Sequence, residues 1–272
     1  MAAYTSINKA IDYFNTITYT GNGSTNAKTG VGFQPDWLWI KCRSNANGSV
    51  LFDALRSTNS LSSADTSAQA DRSGDGFTSL DSDGFTMNGS GSGGNLNVNG
   101  RTYVAWNWKA NGAGSANTAG TINSTVSVNT TAGFSIVKWT GNGVAGASIG
   151  HGLGVVPKTI MVKRLNDTAN WTVYHHNLGN THRLELNTTT ASTSDGGAWN
   201  NTSPTSTVFY TGNNLTVGNN GSTYIAYCFA EKTGYSKFGS YTGNGSTDNA
   251  FIFTGFKPTF FMTKRYSDTA RW

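Results

Sequence analysis

The chain has little of what helical enzymes are built from. Only two of its 272 residues are Glu, Glu185 and Glu231, and charged residues make up 12%, about half the usual roughly 25%. Its 34 Gly and 38 Thr disfavour helix interiors, so a mainly helical protein is excluded. The two cysteines, Cys42 and Cys228, lie far apart and at non-equivalent places in the repeats described below, which argues against a disulfide framework. The longest apolar run, Tyr224 to Ala230, is seven residues, far short of the ~20 that cross a bilayer. The opening MAAYTSINKAIDYF has no apolar stretch of signal-peptide type. These features predict a soluble chain without membrane insertion or visible export. The net charge is +5, but the 19 basic residues are dispersed, which argues against nucleic acid as a partner.

What the sequence has in quantity is turn chemistry: 28 Ser, 30 Asn and the Gly and Thr already noted. Disorder is countered by 12% aromatic residues, eight of them Trp, which supply buried area that disordered chains lack. The composition reads as all-β.

The chain also repeats itself. Thr-Gly-Asn-Gly occurs at Thr20, Thr140 and Thr242. Downstream of each copy comes Gly32-Phe-Gln-Pro-Asp36, Gly154-Val-Val-Pro-Lys158 or Gly255-Phe-Lys-Pro-Thr259, and then an apolar strand ending in a basic residue, Lys41, Lys163 or Lys264. The stretches Thr102–Lys109 and Thr223–Ala230 close the first two copies alike. Spacings of this size suit a small sandwich domain better than a propeller blade or solenoid rung. The reading is unit one at 1–114, unit two at 115–234, and the start of a third copy at 235–272, which stops at Trp272 where unit two reaches Trp171. Either the polypeptide is longer, or 235–272 is a short hairpin pairing with unit two.

Within unit two, strands are expected at 134–139, 159–165, 171–176, 183–187, 207–211, 214–217 and 222–229, short and separated by Gly or Asn turns. Such spacing predicts tandem antiparallel β-sandwich domains of jelly-roll, concanavalin-like kind. Residues 74–77 and 82–85 read as hairpin turns, and 88–99 and 111–131, poor in large apolar residues, as loops or linker.

Four kinds of site are conceivable. Glycan binding needs flat aromatic faces beside amides and hydroxyls. Trp37 with Trp39, and Trp106 with Trp108, share strand faces and are better explained as core. Trp171, Trp199 and Tyr210, near turns in Asn- and Thr-rich stretches, are the candidate glycan contacts. Asp71, Asp75, Asp81 and Asp83 form the densest acidic stretch, without an EF-hand pattern, and read as turn-stabilising rather than calcium-binding. His175 and His176 are adjacent, and His151 and His182 have no partner at ligand spacing, so no zinc site is expected. No paired carboxylates for glycosidase chemistry and no Gly-x-Ser-x-Gly elbow can be drawn. The expectation is a non-enzymatic protein without cofactor, metal or catalytic residues.

The run Gly234–Gly245, with the strand Thr223–Glu231 before it, closely resembles a repeat of virion-associated proteins of marine tailed bacteriophages. So does Tyr13–Thr16 leading into Tyr19–Gly23 and Gly32–Asp36. The resemblance covers essentially the whole chain. It implies a virion structural protein, a tail fibre or other surface appendage, with concanavalin-like or jelly-roll repeats and no settled activity. Expected partners are other virion proteins, copies of itself (a trimer favoured) and host surface glycans. The rival readings are a polysaccharide depolymerase and a ligand-free capsid decoration or scaffold protein.

Overall fold

Strands form where Val, Ile, Thr and aromatic residues cluster, and Gly and Asn break them. The computed structural model describes residues 4–5, 7–89, 95–248 and 250–272. After a 3-10 turn at Ala10–Asp12, unit one contains β1 (Phe14–Thr20), β2 (Asn26–Lys28), β3 (Trp37–Cys42), β4 (Val50–Asp53), β5 (Asn59–Ser62), β6 (Ala70–Asp71), β7 (Ser79–Asp81), β8 (Gly84–Met87) and β9 (Thr102–Trp108). Unit two contains β10 (Ser115–Asn117), β11 (Ser124–Asn129), β12 (Phe134–Thr140), β13 (Ala147–Gly150), β14 (Thr159–Arg164), β15 (Thr172–His175), β16 (His182–Arg183), β17 (Thr193–Ser194), the helical turn α1 (Gly196–Trp199), β18 (Val208–Thr211) and β19 (Thr223–Phe229). The protein is an all-β, antiparallel sandwich, and among the described residues no helix is long and apolar enough to cross a membrane.

Two six-stranded sheets dominate, ordered β1-β9-β3-β4-β5-β6 and β10-β11-β12-β19-β14-β15. Over four strands of each, β1-β9-β3-β4 and β12-β19-β14-β15, the registers correspond. Phe14 faces Trp108 and Thr20 faces Thr102 across β1 and β9, as Phe134 faces Phe229 and Thr140 faces Thr223 across β12 and β19. Trp37 pairs with both Trp108 and Asp53, as Thr159 pairs with both Phe229 and His175. A small sheet lies outside each large one, β2-β8-β7 on the first and β13-β18 on the second.

The Thr-Gly-Asn-Gly motif has a local and a tertiary role. Asn22, Asn142 and Asn244 each accept the backbone N–H two residues on through Oδ1, at 2.9, 3.0 and 2.9 Å, and the second glycine has φ +71° in every copy, a conformation L-residues resist. The first glycine lets a neighbouring loop come close. A Cβ on Gly21 would strike the carbonyl of Val98, and one on Gly141 that of Asn219. In the third copy the local turn persists, but a Cβ on Gly243 would meet nothing.

Burial fills three layers. Leu38, Ile40, Phe52, Tyr103 and Ala105 pack under Phe85 and Met87 of the first small sheet and under Phe77, just before β7. Val137, Trp139, Ile160, Tyr224 and Cys228 pack under Ile149 and Phe209 of the second. The third layer lies between the large sheets, where Trp37, Trp39 and Trp108 meet Phe134, Ile136, Met161, Trp171 and Tyr227. The central strands of the large sheets therefore bury both faces, β3 and β19 at most positions and β14 at every one.

Several expected elements differ. Residues 111–131 are not a bare linker, because β10 and β11 extend the second large sheet through them. Val126 is buried in β11 together with the small Ser124 and Ser127, and Val128 packs against the same core. Residues 214–217 form a turn fixed by Asn214 Oδ1, which accepts from the Thr216 amide and hydroxyl. The strand expected over 183–187 shortens to β16, with Leu184 alone bridging to Val173. The hairpin at 82–85 is present between β7 and β8, and residues 90–94 of the 88–99 stretch lie outside the described residues. After Tyr235 the described residues form no strand.

Candidate assembly interface

Trp37 is the pivot of the contact between the two large sheets. Its ring stacks on Tyr227 at 4.4 Å and lies 5.7 Å from Phe134 and 5.8 Å from Phe229. Beside it, β4 ends on Asp53, which has no access to solvent. A lone buried carboxylate is costly, and two groups answer it. Arg56, one turn further along the chain, donates from Nε to Asp53 Oδ2 at 2.6 Å, and the Tyr227 hydroxyl donates to the same oxygen at 2.6 Å. Arg56 Nη2 also reaches the Tyr227 oxygen at 3.2 Å. This triad joins unit one to unit two through a buried polar contact. Burial pushes the Tyr227 hydroxyl well above its ordinary range, which keeps it a donor.

A second contact lies along the end of β14. Lys163 Nζ donates to the carbonyls of Thr66, at 2.9 Å, and Ala169, at 2.7 Å. Trp171 Nε1 donates to Ser62 O at 2.9 Å, the Ala169 amide to Thr66 O at 2.9 Å, and the Gln69 amide to Leu165 O at 2.9 Å. Burial lowers the Lys163 amine to about 8, with Arg164 acting in the same direction and Asp65 against it.

The segment 264–272 makes the same contact on the next loop. Lys264 Nζ donates to the carbonyls of Thr188 and Ala270, Trp272 Nε1 to Glu185 O at 2.7 Å, the Ala270 amide to Thr189 O at 2.8 Å, and the Ser192 amide to Tyr266 O at 2.8 Å. Lys264, Tyr266, Ala270 and Trp272 thus stand where Lys163, Leu165, Ala169 and Trp171 stand. In unit one the equivalent of Lys163 is Lys41, whose Nζ donates to Asn47 O, and the equivalent of Trp171 is Ser49.

The sequence-based site residues fall elsewhere than expected. Trp171 is 0% exposed and Trp199 2%, so neither ring offers a face to a sugar. Trp171 belongs to the docking contact, while Trp199 ends α1, packs edge-on against Tyr174 at 5.6 Å and donates from Nε1 to His182 O at 3.2 Å. Both are structural: Trp171 is sealed in the layer between the large sheets, and Trp199 in the layer under the second small sheet. Tyr210, half-buried on β18 opposite Ser148, is in neither cluster. The structure does not bring the three together.

The acids are spent on fixed partners. Arg183 bridges Asp195, at 2.7 Å, and Glu185, and the Thr188 hydroxyl donates to the other Glu185 oxygen at 3.0 Å. Glu231 pairs with Lys237 at 2.9 Å. Asp83 accepts the Gly30 and Gly32 amides, Asp71 the hydroxyls of Thr58 and Ser73, and Asp81 those of Ser79 and Thr86. The His175 and His176 rings lie 5.1 Å apart, and burial, with His176 beside it, lowers His175 to about 4. Among the described residues no group of three His, Cys, Asp or Glu is placed to hold a metal ion.

One family covers these units as a single match, a domain of unknown function (DUF7483), over residues 9–272. The chain belongs to this family. The match takes in both large sheets and the docked segment after Tyr235, so the docking contacts lie within the family's domain. No curated protein and no solved structure matches the chain.

Sequence reasoning missed Asp53, Arg56 and Tyr227, which no spacing connects. It could have reached the docking contact, since the shared strand-ending Lys163 and Lys264 and the shared Trp171 and Trp272 are visible in the repeats.

Proposed function

We propose that this is a non-enzymatic structural protein of a tailed-bacteriophage virion, a tail fibre or other surface appendage, whose tandem β units form a rigid scaffold. One observation carries the reading: the large aromatic residues and the buried polar triad are used to fix one sheet against the next. Glu185 and Glu231 are each held in an ion pair, and the Trp171 and Trp199 rings are enclosed. Rigid, turn-rich sandwiches of this kind present loops at their ends, and these loops, with Tyr210 at the half-open edge, are where contact with other virion proteins or a host glycan belongs. Copies of the chain would add avidity to such weak contacts.

The test is immunogold labelling of purified phage particles with antibody raised against the chain. Label on a fibre, tail or capsid surface is expected. Label confined to the soluble lysate, with particles bare, overturns the proposal.

A further inference from the structure

The contacts on either side of unit one are made by equivalent residues. Trp37 of unit one packs on Phe134, Tyr227 and Phe229 of unit two. Phe260, which stands in the third copy where Trp37 stands in the first, packs on Phe14 at 5.9 Å, Trp106 at 5.6 Å and Trp108 at 5.5 Å. By strand register these three are the unit-one equivalents of Phe134, Tyr227 and Phe229. One heterologous interface is therefore used in full between units one and two. Its Lys-and-Trp half recurs between unit two and the third copy, and its aromatic half between the third copy and unit one. A head-to-tail interface closes into a ring when its rotation allows, and here the third member returns to the first.

The third place in this ring is only partly covered. In units one and two, the positions equivalent to Phe261 are Leu38 and Ile160, and those equivalent to Tyr241 are Tyr19 and Trp139, all buried by the unit's own small sheet. In the third copy Phe261 is 81% exposed and Tyr241 51%, and Phe251, which aligns with the last residue of β2 and β13, and Phe253, two residues on, are 88% and 74% exposed. Residues 260–264 match β3 and β14, each of which pairs with the closing strand of its unit, β9 or β19, yet they belong to no strand among the described residues. Exposed apolar side chains beside an unpaired segment of strand-forming sequence mark an interaction site.

We infer that the exposed positions Tyr241, Phe251, Phe253 and Phe261 are covered, by strand addition beside 260–264, by the closing strands and small outer sheet of a β unit of this family. The occupant is specified by what covers the same positions in units one and two: a small outer sheet and a strand of the Thr-Tyr-Ile-Ala-Tyr-Cys-Phe kind. Main-chain pairing would supply affinity, and the phenylalanine pockets register. The inference does not depend on where the protein acts.

The test adds a polypeptide spanning residues 172–234, which carries the equivalents of the missing elements, to the full chain. A one-to-one complex by light scattering is expected, with new hydrogen-exchange protection at 260–264 and affinity reduced about tenfold or more by Phe261→Asp. Phe261 is exposed, so this variant should keep the parent melting temperature. A complex indifferent to Phe261→Asp overturns the inference, as does Phe261-dependent self-association of the chain alone, which would put a second copy on the face. To guard against insolubility of the added piece, the same 172–234 sequence is also fused directly after Trp272, in register with its place after Trp171. Protection at 260–264 and a raised melting temperature support the ring, whereas an appended segment that stays unfolded, together with no complex in trans, rejects it.

Discussion

The Tyr227 hydroxyl and the Asp53 carboxylate, 174 positions apart in the chain, meet at 2.6 Å with no solvent access to Asp53. With Arg56 they form a closed set in which each polar group satisfies another. Removing one member should cost more than an ordinary hydrogen bond, because the remaining ones stay buried. Tyr227→Phe should lower stability by about 1–3 kcal/mol, and Asp53→Ala, which strands the Arg56 charge, by about 3–5 kcal/mol. Urea unfolding of the single and double variants measures the coupling, and strict additivity would show that the hydroxyl does not act on the carboxylate.

Trp171 offers a test between packing and recognition. Trp171→Phe should cost roughly 1–3 kcal/mol by leaving the Ser62 carbonyl without its donor, and Trp171→Ala about 3–5 kcal/mol through the cavity between the sheets. Thermal melts read both. A Trp171→Ala variant of parental stability that loses binding on a glycan array would restore the sugar-platform reading.

Lys163 gives a pH signature. Its amine titrates at about 8 in the fold but near about 10.4 when unfolded, so across that interval the unfolded chain binds more protons and stability rises with pH. The penalty for burying the charge is present below about pH 8 and is relieved above it. Denaturation midpoints between about pH 7.5 and 9.5, below the range of ordinary tyrosine ionisation, should climb in the parent relative to Lys163→Met. Parallel curves would contradict this assignment.

The thiols should be inert in the folded protein. Cys42 and Cys228 are free and buried, and burial pushes the Cys228 thiol up to about 12. Since the thiolate is the reactive form, alkylation at neutral pH should modify neither until denaturant is added, as mass spectrometry would register. Rapid labelling of Cys228 in buffer would mean that the second small sheet opens readily.

How far the sequence could be read depended on whether the cause was local. Strands β12, β14 and β19 were legible from their β-branched and aromatic content, and the Asn-Gly turns from side-chain bonding that operates even in the third copy. Between the sheets, legibility failed. Trp37-Leu-Trp-Ile is a continuous apolar run, the pattern of a strand covered on both faces, yet what covers the second face comes from another unit. Trp171 and Trp199 lie near turns in polar stretches, and only the loops folded over them make them core. For Asp53, Arg56 and Tyr227 no local pattern exists, because the triad is created by the docking of one unit on the other.

With the aromatic layer sealed between the large sheets, the small sheets and the turns form the protein's outer skin. Substitutions in that skin leave the Trp37 stack and its polar triad untouched, whereas a change in the sealed layer is felt by two units at once. Diversification should therefore run fast outside and slowly within, giving related chains one conserved chassis beneath very different exteriors.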